Sequence, residues 1–262
     1  MAEVARSRHE RIVAELYARR FITRRDLADV VGVSEATLRR DLKSLADEGK
    51  IELVHGGATL PRVNDFSWKS KNLRNVEAKR IIGRLAAELV HDNDQIYLDS
   101  GTTCFEMIPY LKNRQRLSVI VSSARLALEM NGPALPGGVS VIMLGGQYRP
   151  DRADTVGPLA ASILDQLRGY TCFIGADGLD RDFGLTAADI ESADINRRAV
   201  HNARQTVLLA DHSKFDAPSL FKIVDWENVS RLVTDREPPP EWADFLGARG
   251  IQVDYPEGDE HA

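Results

Sequence analysis

The stretch Asp99-Ser100-Gly101-Thr102-Thr103 sets a carboxylate, three hydroxyls and a glycine in five consecutive positions. It follows the strand-like run "QIYL" and precedes a helix-like segment reaching about Leu111, so it reads as a strand-to-helix loop. Such a loop offers backbone N–H groups, hydroxyls and a helix N-terminus to an anion, most often phosphate. Turn geometry alone selects the same residues, so both readings stand. Other apolar runs end in similar chemistry: "VSS" at 121–123, "LGGQYR" at 144–149, "IGADGL" at 174–179 and "ADHSKF" at 210–215. Ser122, Gly145 and Gly146 lie at these ends, and Asp99 and Asp177 offer carboxylates to sugar hydroxyls. Lys214 is either a cation for a phosphate or a solvated lysine, and Asp211 either a ligand contact or a cap or turn residue.

A second set lies near the start, in "VSEATLRRDLKSL", residues 33–45. Leu38, Leu42 and Leu45 recur at i, i+4 and i+7, which marks the buried face of a helix. Ser34, Glu35, Ala36, Thr37, Arg39, Arg40 and Lys43 are left toward the outside. Arginine is the commonest reader of guanine O6 and N7, and arginine and lysine both pair with phosphate. An isolated Arg-Arg pair on a helix is ordinarily solvated surface charge, so the surroundings decide. His55 has two readings, a contact to a DNA phosphate or a turn residue.

The elements around this helix favour DNA. Residues 5–19 read as a helix with Ile12, Val13 and Leu16 on one stripe. Thr23 and Asp26 have the spacing of a capping box, and Gly32 suits a left-handed helix end. Ser34 opens the next helix as N-cap and Gly49 closes it. "KIELVHGGATL" then reads as a hairpin around Gly-Gly. Three helices and a hairpin make a winged helix-turn-helix, whose second motif helix enters the major groove. Residues 61–75 have little periodicity and read as a linker, in which Phe66 and Trp68 suggest docking on a neighbouring surface. From residue 76 helices and strands alternate, which implies a mostly parallel sheet with helices on both faces. The fold class is therefore α/β: a winged helix-turn-helix over 1–60, a linker over 61–75 and an α/β domain over 76–262.

Composition bounds the function. The chain has 262 residues, 43% hydrophobic and 28% charged, as in ordinary soluble globular proteins. No run approaches the roughly 18 apolar residues of a membrane span, and the charged start "MAEVARSRHERI" has no apolar signal core, which points to the cytoplasm. Two cysteines, Cys104 and Cys172, suit reduced structural thiols. The net charge of -5 is uneven: residues 1–60 carry 11 Lys and Arg against 10 Asp and Glu, the remainder 23 against 29. Charge alone therefore does not establish nucleic-acid binding; the placement of the arginines does.

With these residues in view, "VSEATLRRDLKSLADEGKIELVHGGA" resembles the signature of the DeoR family of bacterial transcription regulators. Leu53 stands where that family usually has an arginine before V-H-G-G. The D-S-G-T-T, L-G-G, F-I-G, G-L-T and A-D-x-S-K-F blocks resemble the same family's effector domain, which is similar to sugar-phosphate isomerases and deaminases. Three departures are visible: Ser122 or Ser123 replaces the usual asparagine, Ala78-Lys79 the usual E-K, and Asn196 beside Arg197 the common lysine. The resemblance implies that Ser100, Gly101, Thr102, Thr103 and Lys214 surround a ligand phosphate. It implies a repressor of a carbohydrate-utilisation operon, relieved by a phosphorylated sugar or polyol. The expected partners are double-stranded operator DNA, that effector and further copies of the chain as dimer or tetramer, with no membrane, metal or cofactor. The second reading is a sugar-phosphate isomerase- or deaminase-like enzyme, which carboxylates and a lysine would serve, although no nucleophile–His–acid set is legible.

Overall fold

The computed structural model describes residues 2–19, 21–47, 51–54, 56–59, 68–111, 114–130 and 138–256. The chain divides into two compact units, Met1–Arg74 and Asn75–Ala262.

The first unit comprises α1 (Ala2–Arg19), β1 (Phe21–Thr23), α2 (Arg24–Val31), α3 (Glu35–Asp47), β2 (Glu52–Val54), β3 (Gly57–Thr59) and α4 (Trp68–Asn72). Thr23 caps α2: its Oγ1 accepts the Asp26 N–H at 3.2 Å and donates to the Asp26 carboxylate at 2.6 Å. The carboxylate thus meets the hydroxyl instead of reaching back to the backbone as in a full capping box. Gly32, at φ 75°, ends α2 with its N–H on the Ala28 carbonyl. Ile12 and Leu16, Leu27 and Val31, and Leu38, Leu42 and Leu45 bring the three helices into one core. Each leucine so buried contributes about 1.5–3 kcal/mol, enough to fix which face of α3 turns outward.

Two features of this unit differ from the sequence reading. The hairpin is a three-stranded antiparallel sheet of order β1-β3-β2, because Phe21–Thr23 pairs with β3. Three residues are too few to show a period of two. Gly57 permits the pairing, since a Cβ there would lie 2.3 Å from the Ile22 carbonyl oxygen. The stretch read as a linker contains α4, whose five residues show no helical period either. Phe66 and Gly49 lie outside the described residues.

The second unit runs α5 (Val76–Glu88), β4 (Gln95–Leu98), α6 (Thr102–Phe105), β5 (Leu117–Val121), α7 (Ala124–Met130), β6 (Val139–Met143), β7 (Gln147–Arg149), β8 (Asp154–Val156), α8 (Pro158–Leu164), β9 (Thr171–Gly175), β10 (Gly178–Asp180), β11 (Gly184–Ala187), α9 (Ile190–Asn202), β12 (Gln205–Leu209), β13 (Phe221–Val224), β14 (Arg231–Val233), α10 (Pro240–Ala248) and β15 (Gln252–Asp254). Seven strands form one sheet of order β15-β14-β12-β9-β4-β5-β6, and every neighbouring pair is parallel. Side chains alternate across it. Ile96, Leu98, Val119, Val121, Phe173, Val207 and Leu209 pack with Ile82 and Ala86 of α5 and Leu126 of α7. Tyr97, Ile120, Cys172, Ile174 and Leu208 pack with α8, α9 and α10 on the other face. Both faces are covered, which is why the strands read as unbroken apolar runs.

The first strand, β4, has β5 and β6 on one side and β9, β12, β14 and β15 on the other. The direction of winding therefore reverses between β4 and β9. At such a switch point a crevice opens outside the carboxyl ends of the strands, where α/β sheets bind ligands.

Short antiparallel additions surround this sheet: the pair β7–β8 and the three-stranded β10-β11-β13. None is longer than four residues. The helix expected to run to about Leu111 stops at Phe105, and a 3-10 turn covers Ile108–Tyr110. Pro109 explains the break: it lacks the N–H that would bond Phe105, and its ring would strike that carbonyl. Cys104 and Cys172 are free and fully buried, and burial pushes both thiols well above their ordinary range.

Candidate functional sites: a DNA-facing helix and a ligand edge

The outward face of α3 is polar and cationic. Ser34, Glu35, Ala36, Arg39, Arg40 and Lys43 are exposed and Thr37 is half-buried. Ser34 Oγ accepts the Thr37 N–H at 3.3 Å and lies 3.0 Å from the Thr37 hydroxyl. These two hydroxyls hold the start of the helix, leaving Glu35, Ala36, Arg39, Arg40 and Lys43 as the side chains it presents outward. Asp41, next to the arginine pair, turns inward. Arg8 grips its carboxylate with two bonds of 2.6 and 2.8 Å, and His9 lies 3.2 Å away. That fork holds the Asp41 carboxyl below its usual range and seats α3 against α1. Among the described residues, neither Arg39 nor Arg40 has an ion-pair partner. His55 lies outside the described residues, and Leu53 on β2 is exposed.

In the second unit the strand ends converge because the sheet is parallel throughout. The carboxyl ends of β4, β9 and β12 lie side by side, carrying Asp99–Thr103, Ala176–Asp177 and Asp211–Lys214. Two strand spacings, about 10 Å, separate the first from the third. Asp99 is buried, and its carboxylate accepts the Gly175 N–H at 3.2 Å, strapping β4 to β9 at the switch point. Gly101 is required by this approach, since a Cβ there would lie 2.9 Å from Asp99 Oδ2. Thr102 is buried, while Ser100, Gly101 and Thr103 stay partly exposed. Asp177 Oδ2 accepts the Ala188 N–H at 2.9 Å. Lys214, half-buried, sits at the end of a 3-10 turn opened by Asp211.

Ser122 follows β5, beside Asp99 on the neighbouring strand, and Gly145 and Gly146 lie just past β6, one strand further out. Ser122 is buried, and its carbonyl accepts the Thr155 N–H and hydroxyl. Gly146, at φ 134°, would place a Cβ 2.6 Å from the Val156 carbonyl. Both residues serve the packing of β7 and β8. Gly145 is exposed.

A charge network at the same edge was not legible in the sequence. Arg149 takes both Asp154 oxygens at 2.8 Å, Asp189 at 2.6 Å and the Ser192 hydroxyl at 2.9 Å. Arg152 bonds Ser192 at 2.8 Å and lies 3.1 Å from Asp189. Ser100 donates to Asp154 at 3.2 Å, so the loop after β4 is tied through one carboxylate and one guanidinium to the start of α9. Burial alone would lower the Arg149 guanidinium and raise the Asp189 carboxyl. Their bonds outweigh it, raising Arg149 and lowering Asp189 to about 2. The partners are separated by up to 54 residues, and no local spacing announces such pairs.

Electrostatically the edge is more acidic than basic, with five carboxylates against three cations. Asp99, Asp154, Asp177, Asp189 and Asp211 face Arg149, Arg152 and Lys214. Such a site suits a ligand with hydroxyls for the carboxylates and an anionic group for the lysine and the loop hydroxyls.

Two family models match the chain: a DeoR-like helix-turn-helix domain over residues 8–63 and a DeoR C-terminal sensor domain over residues 74–236. An HTH-type transcriptional repressor, GlcR, of Bacillus subtilis is 31% identical, covering 91% of this chain and 92% of its own length. The HTH-type transcriptional regulator GolR of Listeria innocua is 31% identical, covering 88% and 90%. The glycerol-3-phosphate regulon repressor of Escherichia coli is 27% identical, covering 94% and 97%. A solved ribose 5-phosphate isomerase of Methanocaldococcus jannaschii matches 54% of this chain and 55% of its own at 20% identity and a TM-score of 0.37. No helix among the described residues is long and apolar enough to cross a membrane.

Proposed function

The chain belongs to the DeoR family of DNA-binding transcriptional regulators, and from that premise we propose that it represses a carbohydrate-utilisation operon and leaves its operator when a phosphorylated sugar or polyol binds the carboxyl edge of the sheet. It is a regulator rather than an enzyme, as its relatives are. Residues 1–60 read DNA, 61–75 link, and 76–262 sense the effector in the cytoplasm. The observation that carries the reading is the convergence of Asp99–Thr103, Asp177 and Asp211–Lys214 at one edge beside the switch point. Lys214 and the hydroxyls of Ser100 and Thr103 take the phosphate, while Asp99 and Asp177 accept hydroxyls of the sugar. Relatives named as repressors, one of a glycerol-3-phosphate regulon, support the sign and the ligand class.

On the DNA side, Arg39, Arg40 and Lys43 lie in the major groove, with Ser34 and Thr37 at the phosphate beside the helix start. Glu35 and Ala36 flank these contacts, and a backbone phosphate is the partner assigned to His55. Operators read by helix-turn-helix proteins repeat or invert their half-sites, so the working species is a homo-oligomer, dimer or tetramer. Titrating the protein onto DNA from upstream of its own coding region, with D-ribose 5-phosphate or sn-glycerol 3-phosphate added, tests the whole reading. Retardation that a sugar phosphate reverses is expected. Failure to bind that DNA, or sustained turnover of either compound, would overturn it.

A further inference from the structure

Asn75 is the first residue of the second unit and takes an unusual conformation. Its φ of 47° and ψ of 43° are left-handed, which asparagine tolerates better than most residues. It occupies the N-cap position of α5, where an asparagine ordinarily accepts a helix N–H, yet its side chain makes no such bond. The amide nitrogen is turned elsewhere. It donates to Asp211 Oδ1 at 2.9 Å and to Ser213 Oγ at 3.0 Å, 136 and 138 residues along the chain. The side chain that would finish the helix instead holds the loop carrying Lys214.

That loop is unevenly satisfied. Asp211 is 1% exposed. Its Oδ1 accepts the Asn75 amide, the Ser213 N–H and the Ser213 hydroxyl. Its Oδ2 is buried with no hydrogen-bond partner among the described residues. Burial would raise this carboxyl, but the Lys214 charge, the Ser213 donors and the Asn75 amide together bring it below its usual range. The Ser213 hydroxyl is the shared part: it donates to Asp211, accepts from Asn75, and belongs to an exposed residue beside Lys214. A phosphate drawn to Lys214 would compete for that hydroxyl's proton. Turning Ser213 toward the anion costs Asn75 one of its two acceptors and Asp211 one of its three donors.

We propose that Asn75 is the positioning residue through which an anionic ligand held by Ser213 and Lys214 acts on the DNA-binding unit. The inference deepens, and rests on, the reading of Lys214 as an effector contact. With Ser213 turned inward, Asn75 fixes the dihedral angles at which the chain enters α5. With Ser213 turned to the ligand, that hold weakens and the junction between the units, at Arg74 and Asn75, takes other angles. The ligand then favours one junction state over the other, which is what coupling between sites requires.

The test is Asn75→Asp, which keeps the shape and the tolerance for left-handed φ but sets a carboxylate against Asp211. Asn75→Gly is the second variant should the first fail to fold. The probes are D-ribose 5-phosphate, sn-glycerol 3-phosphate and inorganic phosphate, read by calorimetry for binding and by gel shift for DNA release. In the wild-type protein a bound probe should weaken DNA binding by about 5–150-fold. In either variant the probe should still bind within about threefold of wild type. DNA affinity without probe should fall to the liganded wild-type level, and adding the probe should change it no further. A cap that matters only for folding would lower the melting temperature and leave the DNA ratio intact, and that result overturns the inference. Probe binding lost with Asn75 overturns it too, by making the residue part of the ligand site. Lys214→Ala separates the two layers: unchanged probe binding there, or no binding of any probe to the wild-type chain, removes the effector reading and the inference with it.

Discussion

Arg149 shows what a single residue carries here. Its side chain is 13% exposed, and that of its partner Asp154 is 2% exposed. Removing one member of so buried a pair leaves the other charge uncompensated, at about 3–5 kcal/mol. Arg149→Met should therefore lower the melting temperature sharply and weaken phosphate binding, since Asp154 would then face the Ser100 loop without its countercharge. Acid should act on this network through Asp189, and on two carboxylates outside it. Asp41, Asp189 and Asp211 have folded-state values below their unfolded ones. Each thus contributes stability that is present above about pH 4 and lost as pH falls through the folded value, about 2 for Asp189. Glu106 opposes them, because burial raises its carboxyl and acid relieves that cost. Three groups against one predict a denaturation midpoint that falls from pH 5 toward pH 3, and a shallower fall in Arg149→Met because Asp189 loses the Arg149 part of its depression and keeps that from Ser192. Arg39→Ala and Arg40→Ala should leave stability unchanged and weaken operator binding. A lost phosphate contact would reduce the log–log salt slope by about 0.9, and a lost guanine contact would cost about 1–3 kcal/mol at one base pair. Unaltered gel shifts in both would remove α3 from the groove. At this scale the sequence showed residues grouped within one loop or helix, and missed Arg149–Asp154–Asp189 and Asn75–Asp211 because their partners meet only through the fold.

Among elements, legibility followed length and covering. The 13-residue helices α3, α5 and α9 showed their apolar stripes, and β4, β5, β9 and β12 showed unbroken apolar runs. The strands β1, β7, β8, β10, β11 and β13 did not: each has three or four residues without a continuous apolar run or a Gly-Gly turn like that between β2 and β3, and the pairings of β1 with β3 and of β11 with β13 are remote in sequence. Capping was legible because it is local: Thr23→Ala should cost the first unit about 1 kcal/mol in thermal melts. Packing between elements was not, as Gly83 shows. A Cβ at this helix position would meet the Glu106 backbone at 2.5 Å, so glycine is what lets α5 rest on the turn after α6. Alanine favours a helix interior over glycine by about 1 kcal/mol, whereas overpacking costs about 1–3 kcal/mol. The clash is with backbone that cannot rotate away, so overpacking should win. Gly83→Ala should melt lower than wild type, and a higher melting temperature would show that α5 is free to shift.

For the whole molecule, the parallel pairing of the large sheet was foreseeable from the alternation of helices and strands after residue 76, but the order of its strands was not. That order leaves β6 at one edge, paired only with β5 among the described residues. Edge strands are ordinarily blunted with charge or cover. This one instead exposes Ile142 and Met143, with Tyr148 of β7 close by in sequence. Under the proposed homo-oligomer a second copy of the chain would cover this edge, since a repeated operator would need two α3 helices held together. The double variant Met143→Glu, Tyr148→Glu puts charge on this patch without entering the core. Sedimentation should show the wild-type chain as a dimer or larger and the variant as a smaller species. The variant's DNA binding should have about half the wild-type salt slope, since one copy neutralises half as many phosphates. A wild-type monomer at micromolar concentration would remove the oligomer. A variant of wild-type mass would place the contact elsewhere.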